Sequence, residues 1–289
     1  MTTLLPRVKS RMHFHARRLS RRLLDGDYAS VYHGHSLDFD DLREYVPGDE
    51  IRDIDWKASA RHSAPLVKRY VAHRRHALML VVNTGVELDA SSAGGEHKRE
   101  LAILMAGMAG YLAVRHGDDV SLVYGSAGAT GATDSAGSEA HLENILRTIL
   151  HSRTPDAGDI NTQLSWVARN VSRRKLLFVI SDAGVPANPK LVQRLSAQHD
   201  FMWVTLTDAD LIAASHLGDL RGLGVGDDTN IPKSLMSREL RDEYERQEEE
   251  RRATFEHALK TVSHVELSHT KDTLHELHRL MNRHANARR

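Results

Sequence analysis

The sequence predicts an α/β fold built on a mostly parallel, doubly wound sheet, and three observations support this prediction. The apolar runs "ALMLVV", "DVSLVYG", "KLLFVISDAG" and "DFMWVTLTD" are short and continuous, as expected of strands buried on both faces. Helical patterns separate these runs within residues 76–210. Parallel strands require long crossover connections, usually helices, so this alternation predicts helices on both sides of a parallel sheet.

A basic segment, residues 1–33, precedes the alternating pattern. Its arginines stand at nearly helical spacing with leucines between them, which predicts an amphipathic helix that docks on the body through its leucines. The alternative is an arm that contacts an acidic partner, a lipid surface or RNA. The residues concerned are Arg17, Arg18, Arg21 and Arg22, with Leu19, Leu23 and Leu24.

The connections between the predicted strands have distinct characters. The stretch "KRELAILMAGMAGYLAVRHG" predicts a long helix that ends at Gly117, whereas the Gly- and Ala-rich stretch Gly125–Ser138 predicts a flexible loop. Further helices are predicted at "EAHLENILRTIL", "DINTQLSWVARNV" and "NPKLVQRLSAQ". Ligands bind open α/β sheets at the carboxyl ends of the strands, so we expect the functional site there. The sequence has no Gly-rich phosphate-binding motif at these ends.

The alternating pattern fades after about Leu211, and we expect residues 211–289 to form a helical extension packed on the same body. The stretch "SRELRDEYERQEEERRATFEHALKTV" predicts a long charged helix with one narrow apolar stripe. It is followed by "HVELS", which is compatible with a short strand, and by a final helix. Residues 34–75, between the basic segment and the sheet, form a fourth region.

Composition excludes several classes of function. Lysine plus arginine and aspartate plus glutamate both total 39, so no global attraction to nucleic acid is expected. The absence of cysteine excludes disulfides, thiolate metal sites and cysteine nucleophiles. No secretory signal is visible, and the longest uncharged run, Leu101–Val114, is too short to span a bilayer. We therefore expect a soluble, cytoplasmic protein, and an indirect association with a membrane stays open.

The stretch "LREYVPGDEIRDIDWKASAR", residues 42–61, combines many charges with large apolar side chains. Pro47 and Gly48 suit a type II turn, which would fold the two halves together and let the aromatic residues pack on the body. One interpretation is a structural clamp. The other is a recognition face, because arginine and tryptophan are favoured at the centres of interfaces. The candidate binding residues are Arg43, Asp49, Arg52, Asp55, Trp56 and Arg61.

The segment Gly34–Tyr70 resembles the signature of the domain of unknown function 58 family. The resemblance rests on Asp38–Phe39, "LREY", "PGD", Arg52, "IDW", "AR" and Lys68. Members of this family have a body similar to a von Willebrand factor A domain and are typically encoded beside MoxR-type AAA+ ATPases. The resemblance therefore implies a non-enzymatic, protein-binding adaptor with such an ATPase as its partner.

The similarity to a von Willebrand factor A domain also implies a metal site after the first sheet strand. The expected Asp-x-Ser-x-Ser loop reads Asn83, Gly85 and Glu87 here, while Thr162 and Asp182 match the later threonine and aspartate. So degenerate a site is expected to be empty, since Mg²⁺ relies on carboxylates in near-octahedral geometry. Asp182 would then cap a turn and Thr162 a helix. No cofactor is expected, although Mg²⁺ stays an alternative.

Two other classes of function are weighed against the adaptor. A metal-dependent hydrolase would need Asp182, Glu87 and a histidine in one cleft. The chain has 19 histidines, including His275 and His278 on one predicted helix face, but no complete zinc motif. A nucleic-acid-binding module would use the basic N-terminal arm.

Overall fold

A computed structural model describes most of the chain. The described residues are 3–16, 28, 42–46, 54–61, 64–68, 77–154, 156–184, 186–209, 220–221, 230–231 and 238–287. Arg17–Arg22, Asp49 and Arg52 lie outside these residues, as do the predicted Pro47–Gly48 turn and Phe39.

A six-stranded sheet forms the centre of the protein, in the order β10-β7-β6-β3-β4-β5. All neighbouring pairs are parallel except β4 and β5, which are antiparallel. Two small antiparallel pairs, β1 with β2 and β8 with β9, lie apart from this sheet. The strands are β1 Leu42–Glu44, β2 Leu66–Lys68, β3 Ala77–Asn83, β4 Asp119–Gly125, β5 Thr130–Ala132, β6 Leu176–Asp182, β7 Asp200–Leu206, β8 Leu220–Arg221, β9 Asn230–Ile231 and β10 Ser263–Leu267.

Helices cover both faces of the sheet. The described helices are α1 Leu5–Ala16, α2 Trp56–Ser59, α3 Lys98–Arg115, α4 Glu139–His151, α5 Ile160–Asn170, α6 Pro189–Gln198, α7 Arg238–Ala258 and α8 Thr273–Ala287. None of them is both long enough and apolar enough to cross a lipid bilayer. The prediction of a mixed α/β protein with a mostly parallel sheet is confirmed.

Alternating residues of the central strand β3 feed two separate hydrophobic cores. Leu78, Leu80 and Val82 face the core that contains α1, α3, α4 and α8. Met79 and Val81 face the core that contains α5, α6 and α7. Since side chains alternate across a strand, a strand buried on both faces must be apolar throughout, and this explains its continuous apolar sequence.

One strand lies where the sequence indicated a loop, and another, at the stretch compatible with a short strand, joins the central sheet. The stretch Gly125–Ser138 was expected to be a flexible loop, but it contains β5, which pairs with β4. Its backbone is fixed from two sides, because Gln163 Nε2 donates to the Ser126 carbonyl (2.9 Å) and Leu122 N donates to Thr133 Oγ1 (2.9 Å). The strand β10 pairs with β7, so the sheet extends into the region predicted as a helical extension.

The N-terminal helix α1 ends at Ala16, just before the arginine-rich stretch from which a helix was predicted. Leu5, Val8 and Met12 recur at helical spacing and are buried in the core shared with α3 and α4. Gly107 of α3 makes this close packing possible, because a Cβ there would lie 2.6 Å from a methyl group of Val8. The start of α1 is held by Glu143, which accepts from the backbone N–H of Leu5 at 2.8 Å.

Candidate functional site

Two polar side chains meet at the carboxyl edge of the sheet. The adjacent parallel strands β3 and β6 end at Asn83 and Asp182, so strand pairing brings these residues together. Asn83 Nδ2 donates to Asp182 Oδ1 at 3.1 Å. Both residues are almost completely buried, with exposed fractions of 1% and 2%. The position is the one where open α/β sheets commonly hold their ligands.

The loop after β3 contacts the loop before α5. Gly85 N donates back to Asn83 Oδ1 at 3.1 Å, and Gly158 N donates to Glu87 Oε2 at 2.7 Å. The two glycines are in close backbone contact, because a Cβ on Gly85 would lie 2.3 Å from the Gly158 nitrogen. Glu87 therefore lies at the carboxyl edge, where its carboxylate accepts a hydrogen bond from the backbone of Gly158.

A buried lysine supplies the positive charge at this edge. Lys98 is the first residue of α3, and its side chain is 1% exposed. Its Nζ lies 3.8 Å from Asp182 Oδ2 and donates to Asp208 Oδ1, just beyond β7. The sequence analysis missed both Lys98 and Asp208. The available signal was a lysine opening an otherwise apolar helix, together with an aspartate at the end of a predicted strand.

Thr162 lies in the first turn of α5, and its hydroxyl donates to Asp159 Oδ2 at 3.3 Å. The N-cap of this helix is Asp159, whose Oδ1 accepts from the backbone N–H of Asn161 at 3.0 Å. The structure thus joins Asn83 directly to Asp182 and joins Glu87 to the same edge through Gly158. Thr162 is directed to Asp159 instead.

These residues do not fit a divalent cation. Three of the oxygens that would coordinate it each accept a backbone N–H group, which competes with a metal ion: Asn83 Oδ1 from Gly85, Glu87 Oε2 from Gly158, and Asp182 Oδ2 from Gly184 at 3.2 Å. The ammonium of Lys98 adds a positive charge that would repel a metal ion. Within the described residues, no three histidine, aspartate or glutamate side chains are grouped so as to hold a metal. We therefore derive no metal chemistry at this edge.

Two carboxyl groups at this edge, those of Asp182 and Glu87, have raised pKa values. Burial raises the pKa of Asp182, and the nearby charge of Asp208 raises it further, while Lys98 opposes the shift. Burial also raises the pKa of Glu87, against the opposing hydrogen bond from Gly158. The stability of this edge therefore depends on pH.

The substitution Glu87→Gln should reveal this pH dependence. Because the folded state raises the pKa of Glu87, the stability associated with this group is greatest below the ordinary value of ~4.3 and is lost as the pH rises through the folded-state value. Glutamine keeps an acceptor for Gly158 but does not titrate. We expect the free energy of unfolding of the variant, relative to the unaltered protein, to rise between about pH 4 and pH 7. Urea unfolding across this range is the measurement, and a constant difference would contradict the expectation.

The signature segment forms a small substructure around β2. The strand β1 pairs with one edge of β2, and Ile54 forms an antiparallel bridge to Val67 of the same strand. Asp55 caps α2, because its Oδ1 accepts from the backbone N–H groups of Lys57 (3.1 Å) and Ala58 (3.0 Å). Among the candidate binding residues, Arg43 lies in β1 and Arg61 is exposed in a turn.

Trp56 does not pack on the body, as the clamp, one of the two alternatives for this segment, would require. Its exposed fraction is 65%, and the four-residue helix that it opens contains no buried residue. The cap formed by Asp55 starts this helix at Trp56 and leaves the indole in solvent. Val46, which follows β1, is also 56% exposed. The exposure of Trp56 removes its part in the clamp and leaves the recognition-face interpretation for this residue.

Removing the Trp56 side chain should therefore change folding stability little. We expect Trp56→Ala to alter the free energy of unfolding by no more than about 0.5 kcal/mol, as for other exposed side chains. The matched control is Trp203→Ala in β7, where the side chain is fully buried and truncation should cost about 3–5 kcal/mol. Urea unfolding of both variants measures the contrast, and equal losses would restore the clamp.

Comparison with protein families gives a match over most of the chain. A family model described as "Protein of unknown function DUF58" matches residues 41–254. Uncharacterized proteins of Mycobacterium bovis and of two strains of Mycobacterium tuberculosis are each 27% identical to the chain over 202 residues. The match covers 68% of this chain, which spans 63% of the length of each relative.

Two solved structures are similar at a lower level. An aerotolerance-related membrane protein from Bacteroides fragilis has a TM-score of 0.44 and 11% identity, covering 73% of this chain and 98% of that one. A mutant of the PilB minor pilin from Streptococcus sanguinis has a TM-score of 0.40 and 8% identity, covering 77% of this chain and 63% of that one.

Proposed function

Since the chain belongs to the DUF58 family, we propose that it is a non-enzymatic adaptor that binds another protein, with a MoxR-type AAA+ ATPase as the partner. The observation that carries the proposal is the exposure of Trp56 and Val46 within the family signature. We propose that the interaction takes place in the cytoplasm, because the partner ATPase needs ATP. The chain spans only 63% of the length of its relatives. What a protein of their full length does is therefore also a proposal.

The exposed pair has the composition of a protein-binding surface. Val46 and Trp56 follow the two segments that flank β2, so one small scaffold presents both side chains. Tryptophan is enriched among residues that dominate binding energy, and a charged rim around such an anchor is typical of interfaces. The same segment also exposes the charged residues Glu44, Lys57 and Arg61, which supports such a rim.

The proposal includes a von Willebrand factor A-like body that acts without a metal. The mostly parallel sheet, covered by helices on both faces, supports such a body. The cluster of Lys98, Asp182 and Asp208 supports a metal-free edge, because the chain itself supplies the cation beside the buried carboxylate. Partner recognition would then rest on hydrogen bonds and apolar contacts rather than on a carboxylate that completes a metal shell.

Affinity purification under nucleotide-trapping conditions tests the partner. The tagged protein is expressed in its native host, and bound proteins are identified by mass spectrometry. We expect an AAA+ ATPase to be retained by the unaltered chain and by the control Arg173→Ala, whose side chain is exposed away from the signature. Trp56→Ala should lose this ATPase. Reproducible absence of any AAA+ ATPase, or equal retention by the Trp56 variant, would count against the proposal.

A further inference from the structure

A cavity of about 460 Å³ lies between α1, the start of α3 and the end of α4. It is separate from the carboxyl-edge cluster and from the signature segment. Its volume lies in the range of small-molecule pockets, which combine apolar walls with a few polar groups that orient the ligand. The apolar walls come from all three helices: Leu4 and Val8 beside α1, Ile103 and Leu104 from α3, and Leu150 from α4.

The polar lining of this cavity carries an excess of positive charge. Among the described lining residues, Arg7, Arg99, Arg153 and His97 stand beside two carboxylates, Asp89 and Glu100. Arg7 pairs with Glu100. The carboxylate of Asp89 is shared, because its Oδ1 lies 2.8 Å from Arg99 Nε and 3.6 Å from Arg153 Nη2. Two guanidinium groups therefore share one carboxylate.

Arg99 is the inner group of this arrangement. It is 3% exposed, and its Nη1 donates to the backbone carbonyls of Ile149 (2.8 Å) and Ser152 (3.1 Å). Its Nη2 is buried and has no hydrogen-bond partner among the described residues. A nitrogen so deeply buried cannot reach a ligand in the cavity, so Arg99 holds Asp89 in place and leaves the accessible guanidinium to Arg153. A second, flexible guanidinium stands nearby, since the Arg153 side chain is 66% exposed.

From this geometry we propose that the cavity binds an amphipathic monocarboxylate, with an apolar body against the leucine, isoleucine and valine walls and its carboxylate on the accessible guanidinium of Arg153. An uncharged ligand would leave the second positive charge of the Arg99 and Arg153 pair uncompensated. An amphipathic amine would face three guanidinium groups. The site is independent of the proposed adaptor function, and binding there would fix α1 against α3 and α4.

Titration of the full chain with decanoate tests the proposal by isothermal calorimetry, with decanol as the uncharged ligand of equal chain length. We expect saturable decanoate binding at concentrations below about 1 mM and at least about tenfold weaker binding of decanol. Arg153→Gln should weaken decanoate binding by about tenfold without affecting decanol, because it removes only the charge contact. Leu150→Trp, which fills the cavity, should abolish the binding of both.

The control is Arg173→Gln, an exposed arginine outside the cavity lining, which should bind decanoate as the unaltered chain does. Melting temperatures of all variants separate loss of binding from loss of folding. No saturation by decanoate, equal affinity for decanoate and decanol, or unchanged binding in a folded Arg153→Gln variant would each overturn the proposal.

Discussion

Replacing Lys98 with methionine should lower the free energy of unfolding by about 3–5 kcal/mol at neutral pH, because it removes one partner of a buried ion pair. The side chains of Lys98 and Asp182 are 1% and 3% exposed, so solvent cannot replace the lost ammonium. Methionine has a similar length and keeps the apolar contacts of the lysine stem. The loss should therefore reflect charge rather than a cavity. Urea unfolding of the purified variant measures it.

A second substitution identifies Asp182 as the group left without a counter-charge. Adding Asp182→Asn to Lys98→Met should recover much of the lost stability, because asparagine is uncharged and still accepts from Gly184. Acid should also reduce the loss in the single variant. Without Lys98, the pKa of Asp182 rises further, so the penalty disappears as the pH falls and the carboxyl group is protonated. A loss below about 1 kcal/mol, the size expected for an exposed pair, would contradict the cluster.

The substitution Gly85→Ser, which introduces the serine of the expected metal-binding loop, should destabilise the protein and should not create a metal site. A Cβ at Gly85 would lie 2.3 Å from the backbone nitrogen of Gly158 and 2.6 Å from Glu87 Oε2. The loops must separate to accept it, and overpacking of this kind typically costs about 1–3 kcal/mol. The expected result for Gly85→Ser is this loss in urea unfolding, with no gain in affinity for Mg²⁺.

Gly128→Ser is the matched control for this substitution. Gly128 is exposed, and a Cβ there would lie 3.2 Å from the flexible end of Asp156 rather than against backbone. We expect its stability to change by no more than about 0.5 kcal/mol. A Gly85→Ser variant as stable as this control would show that the loop can adopt the adhesion-type geometry.

The continuous apolar runs predicted the central strands because β3 and β6 are buried on both faces, and only apolar residues satisfy that position. The strand β10 gave a weaker signal. It lies at the sheet edge, only Val265 and Leu267 are buried, and its five residues carry a histidine and a glutamate. The strand β5 has only three residues, two of them glycine and alanine, so its sequence indicated a loop.

Only those residues of the candidate site that stand at strand ends could be predicted from the sequence. Asn83 and Asp182 both follow apolar runs, and parallel pairing brings such ends together. Lys98 reaches the site because α3 lies across the ends of β6 and β7. The periodicity of the sequence does not predict this position of the helix. A lysine at a helix start is usually exposed, so its burial came only from tertiary structure. Trp56 differs from its sequence pattern in the opposite direction. An aromatic residue is usually buried, but Trp56 opens a short capped helix and is exposed to solvent.

Calorimetric titration of the purified protein with Mg²⁺, Mn²⁺ and Ca²⁺ shows whether the chain itself supplies the cation at the carboxyl edge. We expect no saturable binding below about millimolar concentration, because the oxygens at this edge accept N–H groups and Lys98 stands beside Asp182. A micromolar dissociation constant that is lost in Asp182→Ala would show instead that this edge is a working metal site.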